Sequence, residues 1–218
     1  MIPLEKIAEA KHIVIVVNNE TFCNASAIYT YALMLHKKVS LFSEEKIRNI
    51  YAFLPWYEKI RTTQPSGADL VLKVSNDSLL SFFQKHEIKI NQKMALALYC
   101  RMLEISNKLE NKDLDGMFFA QMSKLLELGA NHKLCVENLF KREPLCLFRL
   151  RARMFQNMLL KDEAKVSIFR LTERDLEESG ASLEDAFKVL KESLNLVHVK
   201  QAVLLNENNE TIKIIEEI

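Results

Sequence analysis

Residues 12–17 read HIVIVV, and this short apolar run is the part of the sequence that decides the fold. Its mostly β-branched side chains lack the polar alternation of a half-exposed strand, which is typical of a strand buried on both faces. Two further strand candidates follow at residues 39–42 and 69–74. Helical patterns at residues 25–36 and 44–53 lie between the candidates, and this alternation predicts a parallel sheet with right-handed crossovers.

The rest of the chain has a different character. From residue 91 to about 160 we find only helical periodicity, broken near Lys112, Gly129 and Pro144. Gly129 suits the left-handed position beyond a helix end. The sequence therefore predicts a helical middle section after the first α/β segment.

The C-terminal part returns to a mixed α/β pattern. Strands are expected at residues 165–171, 197–205 and 211–215, with a turn at residues 207–209 and helices that begin after Thr172 and Ser182. The predicted fold class is α/β, with a parallel-sheet N-terminal domain, a helical middle section and a small C-terminal α+β domain. We place the boundaries at 1–143 for the first domain with its helical section, 144–160 for a linker helix, and 161–218 for the last domain.

Composition excludes several classes of protein. The 218 residues are 49% hydrophobic and 27% charged, with a formal net charge of +1. Such a balance produces no global field that would attract duplex nucleic acid or an anionic membrane. The sequence has no apolar run of membrane-spanning length and no signal-peptide pattern at its start, so we expect a cytoplasmic protein. Four scattered cysteines lack the spacing of a zinc ribbon, and we expect reduced, buried thiols.

Several segments, taken in order, resemble the DHH phosphoesterases, the two-domain family that includes nanoRNases and pAp-phosphatases. Residues 53–60 (FLPWYEKI) are similar to the family's "FLPG..EKI", with Trp56 in place of glycine. Residues 69–71 resemble the start of its strand "DLVIVLD", and residues 125–140 resemble "LLEAGAD…LYERLF". Residues 166–185 are similar to the "LT.EDLEE.GAS.ED" stretch of the DHHA1-type substrate domain. The resemblance implies a shortened DHH/DHHA1 architecture.

The departures from the family concern its metal site. The family's first loop, roughly "HxNPDGDAIGS", holds divalent metal with two aspartates. Here Glu20 falls near the first aspartate and Phe22 near the second, and Ser75 replaces the aspartate after the third strand. Phenylalanine cannot bind a metal, and oxygen-rich sites for two ions need several carboxylates. Most of the family's metal ligands are therefore missing.

Other family motifs are also missing. The Asp-His-His segment has no counterpart between residues 74 and 90, where His86 reads as a surface histidine. In the next helix, Glu104 could replace the aspartate of the family's "GILTDTG" segment. The sequence ends at residues 216–218, before any glycine-rich "GGGH" loop of the kind that grips phosphate in the family.

Three functions follow as hypotheses. The first is a catalytically inactive member of the family without a cofactor, which binds a partner protein, a second copy of itself or a nucleotide-like ligand. The alternative is a phosphodiesterase or phosphatase acting on short oligonucleotides or small nucleotides, with manganese or magnesium held by a remodelled carboxylate set: Glu20, Asp69, Asp77 and Glu104. A third possibility is a structural subunit of a larger assembly.

Four residues are candidates for ligand or partner binding. Trp56 and Phe22 could present aromatic surface to a partner, or Trp56 could fill the space of the lost metal loop. Arg149 and Arg153 share a helix face and could contact phosphate, although nearby acidic residues could equally neutralise a solvated helix.

Overall fold

The computed structural model describes residues 3–75, 79–111 and 113–216 of the chain. It divides into two compact units, Met1–Arg142 and Glu143–Ile218. Each unit has its own hydrophobic core and its own four-stranded sheet. The predicted α/β fold class, with a parallel first sheet and a small mixed second sheet, is confirmed.

The first sheet is parallel throughout. Its strands are β1 (His12–Val16), β2 (Lys38–Phe42), β3 (Ile60–Arg61) and β4 (Leu70–Lys73), in the spatial order β3-β2-β1-β4. The central strand β1 carries Ile13, Val14 and Ile15, which are fully buried, as expected for a strand covered on both faces. Strand order reverses between β1 and β4, so the loops at the carboxyl ends of these strands are the usual location of a binding crevice.

Helices of the first unit are α1 (Leu4–Glu9), α2 (Phe22–Met34), α3 (Leu79–Lys85), α4 (Gln92–Ile105), α5 (Gly116–Glu127) and α6 (His132–Val136), the last continued by a π-helical segment (Glu137–Lys141). Helices α2 and α4 pack against each other, and their buried side chains share one core with Ile13, Ile15 and Leu41 of the sheet. Gly129 has a φ of +93°, the predicted left-handed conformation beyond a helix end.

The predicted helix at residues 44–53 is wrong. Apart from a single 3-10 turn at Asn49–Tyr51, this segment is irregular. The side chain of Asn19 explains part of the difference, because its amide donates to the Lys46 carbonyl and its oxygen accepts from the Arg48 N–H. A helix would need those backbone groups for its own ladder. Tertiary contacts therefore override the local helical pattern.

The second unit combines a mixed sheet with three helices. Its strands are β5 (Leu159–Lys161), β6 (Val166–Arg170), β7 (Gln201–Leu205) and β8 (Thr211–Glu216), in that spatial order. Only the central β6–β7 pair is parallel. The helices are α7 (Leu145–Gln156), α8 (Glu173–Ser179) and α9 (Leu183–Glu192).

Two capping boxes begin α8 and α9. Thr172 accepts the Asp175 N–H, and Asp175 in turn accepts the Thr172 N–H; Ser182 and Asp185 repeat the arrangement. Each box satisfies two N–H groups that the first helical turn leaves without a partner. Both caps are confirmed as predicted from the sequence.

Three details of the second unit differ from the sequence analysis. Strand β7 begins at Gln201, because the Lys165 carbonyl accepts both the Lys200 and Gln201 N–H groups and so fixes the start of pairing. The sequence analysis predicted no strand at residues 159–161, where the short strand β5 forms by antiparallel pairing with β6. Helix α7 contributes Leu147, Leu150 and Met154 to this unit's core, so its packing differs from that of a solvated linker.

Among the described residues, no helix combines the length and apolar character that a membrane span requires.

Candidate functional site

A cavity of about 510 Å³ opens at the carboxyl edge of the first sheet. The ends of β1 and β4 and the loop after β2 form its walls, which places it where strand order reverses. Its lining consists of Val16, Val17, Asn18, Thr21, Glu44, Glu45, Lys73 and Val74. Its charged lining residues are Glu44, Glu45 and Lys73, and Glu45 Oε1 accepts two hydrogen bonds from Asn19.

Asn18 closes the loop between β1 and α2. Its side-chain oxygen accepts from the Thr21 N–H at 2.9 Å and the Thr21 hydroxyl at 2.8 Å, while the Asn18 N–H donates to Thr21 Oγ1 at 3.0 Å. The Glu20 N–H also donates to Asn18 Oδ1, at 3.1 Å. The segment that resembles the family's metal loop is thus a closed turn stabilised by amide and hydroxyl contacts.

Asn19 connects this turn to the loop after β2. Its N–H and its Nδ2 both donate to Glu45 Oε1 at 2.9 Å, and its Oδ1 accepts from the Arg48 N–H at 2.7 Å. These contacts position Arg48 beside the next group of residues.

The second part of the site is a network around Glu104 of α4. The Tyr51 hydroxyl donates to Glu104 Oε1, and the Arg48 guanidinium donates to the Tyr51 hydroxyl. The guanidinium nitrogens of Arg48 and Arg101 lie 3.8 Å from opposite carboxylate oxygens of Glu104. Burial raises the pKa of Tyr51 well above its usual value, and the adjacent Glu104 carboxylate raises it further. Tyr51 therefore stays a neutral hydrogen-bond donor.

Two cysteines complete the network. Cys23, in the first turn of α2, places its Sγ 3.3 Å from Cys100 Sγ and 3.4 Å from Glu104 Oε2. Both cysteines are free thiols and are almost fully buried, as expected from the sequence. Burial raises the pKa of each thiol above its usual value, and for Cys23 the hydrogen bond with Cys100 raises it further.

The structure separates the carboxylates proposed from the sequence. Glu20 is exposed at the carboxyl edge of the sheet, whereas Asp69 lies at the amino edge, where its carboxylate accepts the N–H groups of Lys11 and His12 at 2.9 and 2.8 Å. In parallel strands the two edges are a full strand length apart. Glu20 and Asp69 therefore do not share a metal site, and Asp77 lies outside the described residues.

Phe22 is not available to a partner. It is fully buried at the start of α2, with its ring centroid 5.9 Å from those of both Tyr51 and Tyr57. The proposed binding role of Phe22 is corrected accordingly, because contact with another molecule would require this aromatic cluster to open. Phe22 fills the space beneath the turn instead.

Trp56 is partly buried and held on several sides. Its indole N–H donates to Thr30 Oγ1 at 2.8 Å, its ring lies 4.9 Å from that of Tyr29, and the Lys93 ammonium lies 4.4 Å above its ring. Its backbone has a φ of +71°, the left-handed conformation that favours glycine. This conformation occurs where the segment of similar sequence in the DHH family has glycine.

Arg149 and Arg153 both lie on α7 in the second unit. Arg149 is exposed, whereas the Arg153 guanidinium pairs with Asp175 at 3.4 Å and with Glu178 at 2.5 Å. Arg151 contacts Glu192 with two nitrogens, each at 2.7 Å, and Glu143 at 2.8 Å. The acidic side chains that offset the charge of Arg153 are therefore Asp175 and Glu178, which are 22 and 25 positions further along the chain.

Sequence reasoning singled out Glu104 but missed the residues around it. Cys100 and Glu104 are one helical turn apart on α4, a spacing that could have suggested a shared face. Cys23, Arg48 and Tyr51 come from other elements, and their approach depends on packing alone.

The donor set does not fit the metals of the enzyme hypothesis. Manganese and magnesium favour several oxygen ligands. Within residues 3–75, 79–111 and 113–216, the one group of three or more candidate ligand residues contains two thiols and a single carboxylate: Cys23, Cys100 and Glu104. The guanidinium groups of Arg48 and Arg101 each lie 3.8 Å from an oxygen of that carboxylate.

Comparison with known proteins supports the fold. No protein-family model matches this chain, and no curated protein matches it by sequence. The fold is similar to that of an exopolyphosphatase-related protein from Bacteroides fragilis, with a TM-score of 0.73 and 12% identity over 97% of this chain and 80% of the other. A putative family II inorganic pyrophosphatase from Methanococcus jannaschii matches with a TM-score of 0.30 and 16% identity, over 89% of this chain and 64% of the other. The chain thus has the fold of the first of these proteins.

Proposed function

We propose that the protein is a non-catalytic relative of the DHH phosphoesterases that binds a small, nucleotide-like ligand at the carboxyl edge of its first sheet. The observation that carries this proposal is the set of contacts around Glu104. Tyr51 donates a hydrogen bond to its carboxylate, and Arg48 and Arg101 each lie 3.8 Å from one of its oxygens. In a metal-dependent phosphoesterase, a carboxylate in such a position is needed by divalent cations. Here, among the described residues, Glu104 is the single carboxylate in a group with two thiols, which is too few oxygen ligands for the manganese or magnesium of such an enzyme.

Retention of a ligand site is supported by the cavity. Its volume of about 510 Å³ lies within the range of about 300–1,000 Å³ found for small-molecule sites. The cavity also lies at the reversal of strand order, where open α/β sheets bind their ligands. A small molecule suits these features better than a protein partner, since Phe22 is buried and Trp56 is held by Thr30 and Lys93.

The charges around the cavity restrict the ligand class. Lys73 offers one ammonium group, whereas Glu44 and Glu45 present two carboxylates. A polyphosphate would meet repulsion from the two carboxylates, because like charges at close range disfavour binding. We therefore propose a nucleoside or a nucleoside monophosphate.

The test is thermal unfolding of the full chain with adenosine, adenosine 5′-monophosphate and adenosine 5′-triphosphate, each with and without manganese. At a ligand concentration of about 100 times Kd, binding adds about 2.7 kcal/mol to stability, or roughly 5–10 °C in Tm for a chain of this size. We expect a rise with the nucleoside or the monophosphate that does not require manganese. Lys73→Ala should reduce the shift with the monophosphate to that seen with the nucleoside, because it removes the cavity's one lysine.

Lys38→Ala is the matched control, because Lys38 begins β2 at the opposite edge of the same sheet. It should leave the shift unchanged. Manganese-dependent release of mononucleotide from a dinucleotide would contradict the non-catalytic assignment and support the phosphodiesterase alternative. Equal shifts with the triphosphate and the monophosphate would contradict the proposed ligand class.

A further inference from the structure

We propose that Cys23, Cys100 and Glu104 form a binding site for one thiophilic divalent ion, with zinc as the expected occupant. This site lies apart from the residues that line the ligand cavity, and the inference does not rest on the proposed function. It assigns a role to two buried thiols that neither ligand binding nor the Arg48–Tyr51–Glu104 network explains.

The distances already approach those of a tetrahedral site. Zinc–sulfur bonds of about 2.3 Å in a tetrahedron place neighbouring sulfur atoms roughly 3.8 Å apart. Cys23 Sγ lies 3.3 Å from Cys100 Sγ and 3.4 Å from Glu104 Oε2, and one ligand atom from each of the three residues lies within 4.8 Å of the others. A widening of the sulfur–sulfur distance by about half an ångström would bring that pair to the spacing of a tetrahedral zinc site.

The ligands come from two helices packed against each other. Cys100 and Glu104 project from successive turns of α4, and Cys23 lies in the first turn of α2. Ligands on packed helices lose little freedom when a metal binds, which favours affinity.

The charge of the site also fits a divalent ion. Two thiolates and one carboxylate carry three negative charges, and a divalent cation leaves one. Arg48 and Arg101, each 3.8 Å from a Glu104 oxygen, add two positive charges, so the occupied site together with both arginines would carry a net charge of +1. Zinc binds the thiolate form of cysteine, so each thiol must lose its proton as the metal binds. Deprotonation and metal binding are therefore expected to occur together.

Ligand softness selects zinc over the hydrolytic metals. Thiolates favour zinc and other thiophilic ions, whereas manganese and magnesium favour carboxylates, carbonyls and water. We expect one zinc ion per chain after incubation of the reduced protein with zinc and removal of excess metal, and no retained manganese.

The experiment uses the full chain in a phosphine reductant, with zinc content measured by mass spectrometry. Cobalt provides the spectroscopic probe, since thiolate ligation produces sulfur-to-cobalt charge-transfer absorption and a tetrahedral site gives intense d–d bands. Affinity is measured by competition with a chromophoric chelator. Cys23→Ser and Cys100→Ser should each weaken zinc binding more than about 100-fold, because loss of an outer-shell partner alone costs about 10–100-fold.

Cys146→Ser is the matched control, because Cys146 lies in the second unit and should leave affinity unchanged. Glu104→Gln keeps both thiols and should weaken binding without removing the charge-transfer band, which keeps the test informative if a serine variant fails to fold. Absence of a cobalt–thiolate band in the folded wild-type protein would overturn the proposal. Unchanged zinc affinity in a folded Cys23→Ser/Cys100→Ser variant would overturn it as well.

Discussion

The Sγ atoms of Cys23 and Cys100 lie 3.3 Å apart, although 77 positions separate the two residues in the chain. Helices α2 and α4 bring them together, and Glu104 lies one turn further along α4. The Glu104 carboxylate is thus surrounded by two thiols, a phenol and two guanidinium groups. Because this donor set differs from the carboxylate set of the family that the sequence resembles, the function proposed for the protein differs from that family's activity.

Tyr51→Phe should destabilise the first unit by about 1–3 kcal/mol. The substitution keeps the ring but removes the hydroxyl that donates to Glu104 and accepts from Arg48, which leaves a largely buried carboxylate with one donor fewer. Urea unfolding at neutral pH measures the change. Tyr31→Phe is the control, because the Tyr31 ring packs against Phe83 on another part of the core, and its effect should stay within about 0.5 kcal/mol. Equal effects of the two variants would show that the Tyr51 hydroxyl does not stabilise the network.

Trp56→Gly should be more stable than Trp56→Ala by about 1 kcal/mol. Both variants lose the same indole contacts, but alanine must adopt the left-handed φ of +71°, which costs roughly 1–2 kcal/mol for a residue with a Cβ. The comparison isolates backbone strain from packing. Unfolding free energies of the two variants supply the measurement.

The matched pair for that comparison is Ser123→Gly and Ser123→Ala on the exposed face in the middle of α5. There alanine should be the more stable variant by about 1 kcal/mol, as in an ordinary helix interior. If alanine were also more stable at position 56, the left-handed conformation would not be imposed by the surrounding structure.

The capping carboxylate of Asp175 should make the stability of the second unit depend on pH below about 4. Burial alone would raise the pKa of Asp175, but hydrogen bonds from Thr172 and the Arg153 guanidinium lower it below its usual value of 3.8. Because the folded pKa is lower than the unfolded one, the stabilisation is fully present above the unfolded value. It is lost as the pH falls through the folded pKa.

Asp175→Asn tests this dependence. At pH 6 the variant should be less stable than the wild type by about 1 kcal/mol, and the difference should shrink as the pH is lowered below about 4. Urea unfolding across this pH range, with an NMR titration of the Asp175 carboxyl group, provides the measurement. Asp162→Asn, at an exposed turn, is the control substitution. A difference that stays constant with pH would contradict a role for the Asp175 charge.

Local sequence patterns predicted those features that depend on neighbouring residues. The buried run at residues 12–17, the left-handed Gly129 and the capping boxes at Thr172 and Ser182 all follow from side-chain periodicity, backbone freedom or hydrogen bonds within one turn. Such interactions are readable along the chain, because the partners are at most a few positions apart.

Packing decided the remaining features. Residues 44–53 form an irregular loop and not the expected helix, partly because Asn19 hydrogen-bonds to the Lys46 carbonyl and the Arg48 N–H. Strand β5 forms through its pairing with β6. The candidate site itself joins Cys23, Tyr51 and Glu104 from three separate elements. The sequence by itself determined the α/β architecture and the absence of the family's carboxylate motifs. Only the tertiary structure determined what surrounds Glu104, since contacts between distant residues depend on how helices and loops pack and have no signature in local periodicity.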